Sequence, residues 1–192
     1  MRRRMHNFCA RSWRPASPSV TVPMLLACIF LLTTASRAGG LSPSAEGELA
    51  APGFTLEALG GKSHRLADYR GKVVLMNFWA SWCPPCLAEL PGIQRLADRL
   101  EGEAFAVLLV NVGESPFRVS KLLEQTGVGL TSLLDVRGET FKAWGGEVYP
   151  TSFVMDTKGA VRYVAQGPLV WDSGEVMGTV SDLLRPSEAA AE

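Results

Sequence analysis

Val73-Val74-Leu75-Met76-Asn77-Phe78-Trp79-Ala80-Ser81-Trp82-Cys83-Pro84-Pro85-Cys86 carries two signals in succession. Val73–Met76 is an unbroken apolar segment of the kind buried on both faces in a parallel strand. After the second cysteine, apolar residues recur at Leu87, Leu90, Ile93, Leu96, Ala97 and Leu100, the spacing of one helix face. The cysteines therefore stand at a strand-to-helix junction. Cys83 takes the N-cap, Pro84 the first helical position and Cys86 the third. An N-cap sulfur can accept the backbone N–H of the third helical residue. Pro84 and Pro85 have no N–H to offer, so the amide of Cys86 is the nearest donor. The helix dipole also favours a thiolate, which makes Cys83 the expected attacking thiol with a lowered pKa. Cys86, one turn inside, is the expected resolving thiol.

Trp82-Cys83-Pro84-Pro85-Cys86, preceded by Val-Leu-Met-Asn-Phe-Trp-Ala, resembles the active site of the thioredoxin superfamily. Within it, the Cys-Pro-Pro-Cys form and Val110-Asn111-Val112-Gly113-Glu114-Ser115 resemble the membrane-associated thiol-disulfide reductases of cytochrome c maturation and their relatives. The likeness runs from about Pro52 to Leu184. A bare C-x-x-C could be half of a zinc site, but no second pair of ligands accompanies it.

Charge is unevenly spread. Residues 1–38 hold six arginines and no acid, leaving 13 basic against 19 acidic residues beyond them, a net of −6. A mildly acidic domain without a basic run argues against nucleic acid as a partner. Val20–Ala35 is an almost uninterrupted apolar run of 16 residues, followed by small residues at Ala35-Ser36-Arg37-Ala38-Gly39. This is the pattern of an export signal. It falls short of the roughly 20 residues that span a bilayer, which favours cleavage over retention as an anchor. Leu25-Leu26-Ala27-Cys28 resembles a lipidation site, but apolar residues continue past Cys28. Cys9 and Cys28 lie in this segment, so after cleavage Cys83 and Cys86 are the remaining thiols. A bridge closing so short a loop restrains the unfolded chain little, so redox exchange explains the pair better than stapling.

Residues 39–51, rich in Ala, Gly, Ser and Glu, read as a linker, and the domain is expected over 52–185 with a disordered tail at 186–192. Phe54–Leu56 and His64–Leu66 around Gly60-Gly61-Lys62 suggest a β-hairpin. Strands are expected at 73–79, 104–112 and 132–134, and helices at 84–101, with a kink at Pro91, and from Ser115-Pro116 to about Gly127. A helical turn at 139–144, a hairpin of 151–155 with 161–165, and a helix over about 172–184 complete the chain. That order is α/β: a thioredoxin fold with a central mixed sheet flanked by helices and an N-terminal β-hairpin extension.

Six residues are candidates for the site: Cys83, Cys86 and Glu114 for chemistry, and Trp82, Tyr149 and Pro150 for substrate. In many thioredoxins the position of Asn77 holds a buried acid. Asn77 cannot titrate and reads as a partner for nearby loop backbone. Glu114 is the expected replacement, because its strand should end in the same crevice as the motif. The resemblance implies that it faces the cysteines, and partial desolvation should raise its pKa for proton exchange with Cys86. The plainer reading is an acid ahead of a helix N-terminus. The resemblance also implies that Pro150 is a cis proline presenting the backbone of Tyr149 beside Cys83. Trp82 reads as an exposed wall, Trp79 as core, Glu89 as a solvated helix residue and His64 as a hairpin surface residue.

The expectation is an exported, monomeric thiol-disulfide oxidoreductase in the periplasm or its equivalent. It needs no cofactor beyond the Cys83–Cys86 pair, reduces a protein disulfide such as that of apocytochrome c, and receives electrons from a membrane thiol donor. Two other classes are open. A peroxiredoxin-type peroxidase shares Gly53-Phe54 and Asp68-Tyr69-Arg70-Gly71-Lys72, but such enzymes want Thr where Ala80 stands. A Cu(I) metallochaperone could use the same two thiolates, although no further His or Met ligand is evident.

Overall fold

The computed structural model describes residues 40–44 and 51–185. The export segment 1–38, linker residues 39 and 45–50 and the tail 186–192 lie outside the described residues. In chain order the strands are β1 (Ser42–Pro43), β2 (Thr55–Ala58), β3 (Ser63–Arg65), β4 (Val73–Trp79), β5 (Phe105–Val112), β6 (Ser132–Asp135), β7 (Thr151–Met155) and β8 (Val161–Gln166). The helices are α1 (Pro84–Arg99), α2 (Pro116–Thr126), α3 (Glu139–Ala143) and α4 (Gly174–Leu184), with a 3-10 turn at Leu66–Tyr69.

The strands form one sheet in the order β1-β8-β7-β4-β5-β6-β2-β3. β4, β5 and β6 run parallel, joined by helical crossovers, and the remaining pairs are antiparallel. β4 sits at the centre and every one of its residues is buried. Successive side chains on a strand point to opposite faces. Val73, Leu75 and Trp79 accordingly join one apolar layer with Leu90, Ile93 and Leu96 of α1, Val119 and Leu123 of α2, and Val176 and Val180 of α4. Val74, Met76 and Phe78 join the other, with Val110, Trp144, Phe153 and Leu66 of the 3-10 turn. Full burial of each α1 anchor contributes roughly 1.5–3 kcal/mol. Asn77 alternates in step with Leu75 and Trp79, which places it on the α1 side of the sheet, under the helix.

Several boundaries differ from expectation. The expected linker contains β1, which pairs with the outer edge of β8 (Ser42 opposite Val164), and the Ser44 amide donates to Arg162 O at 2.9 Å. These bonds satisfy backbone groups that an open sheet edge leaves unpaired. Helix α1 ends at Arg99 rather than 101, with Pro91 inside it as expected. Ser115 does cap α2, but its side chain makes no capping bond; its carbonyl accepts the amides of Arg118 and Val119. Gly127, at φ 69°, ends α2 in the left-handed conformation that glycine adopts without steric cost. His64 is half-buried and bonds the Tyr69 hydroxyl at 2.5 Å.

Candidate active site

Cys83 and Cys86 meet where β4 gives way to α1, and their sulfurs are bonded, with the Cα atoms 5.3 Å apart. The Cys83 amide donates to Ala80 O at 3.2 Å, closing a tight turn immediately ahead of α1. Cys83 is the N-cap of α1, and its Sγ accepts the Cys86 amide at 3.3 Å. This is the capping arrangement expected from the two prolines. Cys83 retains 4% exposure and Cys86 none, so the first sulfur is the one that solvent reaches. Trp82 beside it is 59% exposed. The Trp82 ring meets Tyr149 edge-on at 5.4 Å, and Tyr149 stacks on Phe141 at 4.6 Å. Tyr149-Pro150 is a cis peptide. Trp82, Tyr149 and Pro150 are thus gathered with the cysteines at one end of the sheet. Trp79 is fully buried, as expected.

Glu114 is in the crevice but is occupied otherwise than expected. Its carboxylate accepts the Ser81 amide at 2.6 Å, Asn111 Nδ2 at 2.8 Å, and the Ser81 hydroxyl. Arg118 pairs with it at 3.1 Å and also donates to Ser81 Oγ at 2.8 Å. Desolvation pushes this carboxyl up, but the Ser81 and Asn111 hydrogen bonds and the Arg118 charge together outweigh it. The pKa lies below the usual carboxylate value, not above it. A carboxylate so well satisfied anchors the Ala80–Cys83 turn and is poorly suited to accept protons near neutrality.

Glu89 is the acid that sequence reasoning misplaces. It is buried, not solvated. Its Oε1 accepts Asn77 Nδ2 at 2.6 Å, while Oε2 accepts the Leu169 amide and the Trp171 indole N–H, both at 3.1 Å. Burial raises its pKa from 4.5 to about 7, and the three hydrogen bonds oppose that rise without cancelling it. Asn77 also bonds Ser152 Oγ on β7 at 2.8 Å, so its partners are side chains and not loop backbone. The signal for Glu89 is present in the spacing. Counting from the buried Cys86, positions three, four and seven along the helix are Glu89, Leu90 and Ile93, all on one face.

The AhpC/TSA family matches residues 48–164. The chain belongs to the AhpC/TSA family of the thioredoxin superfamily. Among family relatives, thiol-disulfide oxidoreductase ResA of Geobacillus thermodenitrificans is 38% identical over 119 residues, covering 62% of this chain and 68% of that protein. ResA of Bacillus subtilis is 31% identical over 140 residues, covering 73% of this chain and 76% of that protein. The crystal structure of a putative thiol:disulfide interchange protein DsbE from Chlorobium tepidum superposes with a TM-score of 0.69 at 30% identity, covering 74% of this chain and all of that one (100%). The expected thioredoxin fold is borne out, and this family member is a thiol-disulfide oxidoreductase of the ResA and DsbE type.

Proposed function

We propose that the chain is an extracytoplasmic reductant of protein disulfides, with the cysteine pair of an apocytochrome c as substrate and a membrane thiol protein as electron donor. The observation that carries this reading is the Cys83 sulfur held at the N-terminus of α1 by the Cys86 amide, next to the exposed Trp82. In the reduced protein the same amide and the helix dipole favour a Cys83 thiolate. That thiolate attacks a sulfur of the target disulfide and forms a mixed disulfide, releasing the target's other sulfur as a thiolate. Cys86 then loses its proton and attacks Cys83, which frees the second target thiolate and leaves Cys83–Cys86 oxidised. Two electrons pass to the target, and a dithiol donor returns them.

Glu89 supports this cycle as the acceptor of the Cys86 proton. It lies one turn beyond Cys86 on the same helix face, and a pKa of about 7 suits a group that must both take and return a proton near neutrality. The arginine-flanked apolar run at the N-terminus supports export. Among the described residues no helix is long and apolar enough to cross a membrane. A peroxidase would want a hydroxyl where Ala80 stands, and that position is a buried methyl group.

The test is Cys86→Ser expressed in the native compartment. Apocytochrome c or another secreted thiol protein disulfide-linked to Cys83 is the expected product. Rapid turnover of peroxide by the intact protein, with no protein trapped, would overturn the reading.

A further inference from the structure

The carboxyl of Glu89 is gripped unequally by its surroundings. Oε2 receives two donors, the Leu169 amide and the Trp171 indole, while Oε1 receives only Asn77 Nδ2. Each oxygen of an ionised carboxylate offers about two acceptor sites. Oε2 is therefore full, and the site left for a proton is on Oε1. Beside it, Asn77 Oδ1 is buried and has no donor among the described residues. Turning that amide over would set an acceptor against a protonated Oε1.

The donors on Oε2 belong to residues 167–173, which join β8 to α4 and lie flush on α1. Asp172 receives Arg95 Nε at 2.7 Å through its carboxylate and Arg99 at 3.0 Å through its carbonyl. Gly92 leaves room for this approach: a Cβ there would stand 3.3 Å from Asp172 Oδ1 and 3.8 Å from Trp171 Cβ. The indole is fully buried in the α1 layer of the core. The connection is thus fastened on its outside by charge and on its inside by the ring.

We propose that Trp171 is a positioning residue for the thiol chemistry: with the Leu169 amide it closes Oε2, so that Glu89 exchanges its proton through Oε1 alone. This rests on the reading of Glu89 as the proton acceptor for Cys86. In that step the Cys86 S–H bond breaks, an O–H bond forms on Oε1, and the sulfur keeps the electron pair with which it attacks Cys83. On re-reduction the proton returns. The other groups around the carboxyl leave this arrangement in control. β4 and β7 present no titratable side chain to Glu89, the Asp172 carboxylate is paired with Arg95, and on α4 the acids Glu175 and Asp182 are outside the core layer. Along α1 itself, Cys86 is the titratable neighbour once the disulfide is reduced, and Asp98 is bonded to Gln94 on the exposed side.

The experiment follows Glu89 directly in the oxidised full-length chain, where the cysteines do not titrate. The Glu89 carboxyl carbon and the Trp171 indole N–H are read by NMR across pH 5 to 9. The indole resonance should move with the same midpoint as the carboxyl. Trp171→Phe keeps a ring but removes a donor that favours the ionised form, so the Glu89 midpoint should rise by about one pH unit. The pH profile of disulfide exchange in the reduced variant should move upwards with it. An indole resonance that stays flat while Glu89 titrates, or an unchanged midpoint in Trp171→Phe, overturns the proposal. If the variant fails to fold, the indole titration of the unaltered chain decides alone. Glu89→Gln separates the underlying reading. If that variant keeps the exchange profile of the parent, Glu89 is not the proton acceptor, and the role of Trp171 in the thiol step falls even where the indole follows the carboxyl.

Discussion

Asn77 and Glu89 meet at 2.6 Å in the interior, strand against helix, with Ser152 as the second partner of the amide. The strand position that the thioredoxin resemblance associates with a buried acid thus holds an amide, and the acid it touches comes from α1. The carboxyl has been supplied to nearly the same place by a different element. Its consequences are open to measurement.

Glu89 should make the oxidised protein less stable as pH rises. Its folded pKa, about 7, lies above its ordinary 4.5. Between those values the folded state binds more protons than the unfolded state. Its contribution to stability is therefore full below pH 4.5 and declines as pH rises through 7, by at most about 3 kcal/mol. Denaturant midpoints at pH 5 and pH 8 should differ in the parent and converge in Glu89→Gln.

Glu114 should behave in the opposite sense. Its lowered pKa means that its stabilisation is present above the ordinary carboxylate value and lost as pH falls through the folded one. Glu114→Gln removes a charged acceptor from Ser81, Asn111 and Arg118, at a cost of roughly 1.5–3 kcal/mol. Amide exchange at Ser81 and Cys83 should quicken, and disulfide exchange should slow without a shift in its pH profile. A shifted profile would restore proton transfer to Glu114.

The two sulfurs should differ sharply in accessibility after reduction. Cys83 is expected to be alkylated far faster than Cys86 near neutral pH, because it caps the helix and retains what exposure the pair has. Peptide mapping after a short pulse of iodoacetamide measures the ratio. Preferential labelling of Cys86 would reverse the assigned roles.

Trp82 offers a contact face more than it holds the fold together. Trp82→Ala gives up an edge-on pair with Tyr149 worth about 0.5–1.5 kcal/mol and leaves the core layers intact. Reduction of a protein disulfide should slow several-fold more than reduction of a small-molecule disulfide. Equal slowing of both would place Trp82 outside substrate binding.

The parts of the fold that rest on repeated signals are readable in the sequence. β4 is legible because all its residues are buried, α1 because Leu90, Ile93 and Leu96 recur on one face, and Cys83 because prolines silence the competing amides. β1 is not, since two residues carry no periodicity and form a strand only because β8 offers an unpaired edge. Sequence reasoning places Glu114 correctly and misjudges its electrostatics, because the donors that lower its pKa come from Ser81, 33 residues away, as well as from nearby Asn111 and Arg118. Glu89 escapes it because a lone charge on a helix ordinarily belongs to solvent. What buries it is a partner from β4 and two donors from residues 169–171, far along the chain.

Strand β1 has a direction as well as a partner. Ser42 lies opposite Val164 and Pro43 opposite Tyr163, whereas Gln166 lies opposite Thr151, itself the partner of Phe78 at the cysteine end of β4. From Ser42 back through Leu41 to Gly40, the polypeptide therefore heads towards that end of the sheet. Gly40 thus stands at that end of the sheet, on the β1 edge, three strands across from β4. A bulky carrier fused there would crowd an incoming protein disulfide.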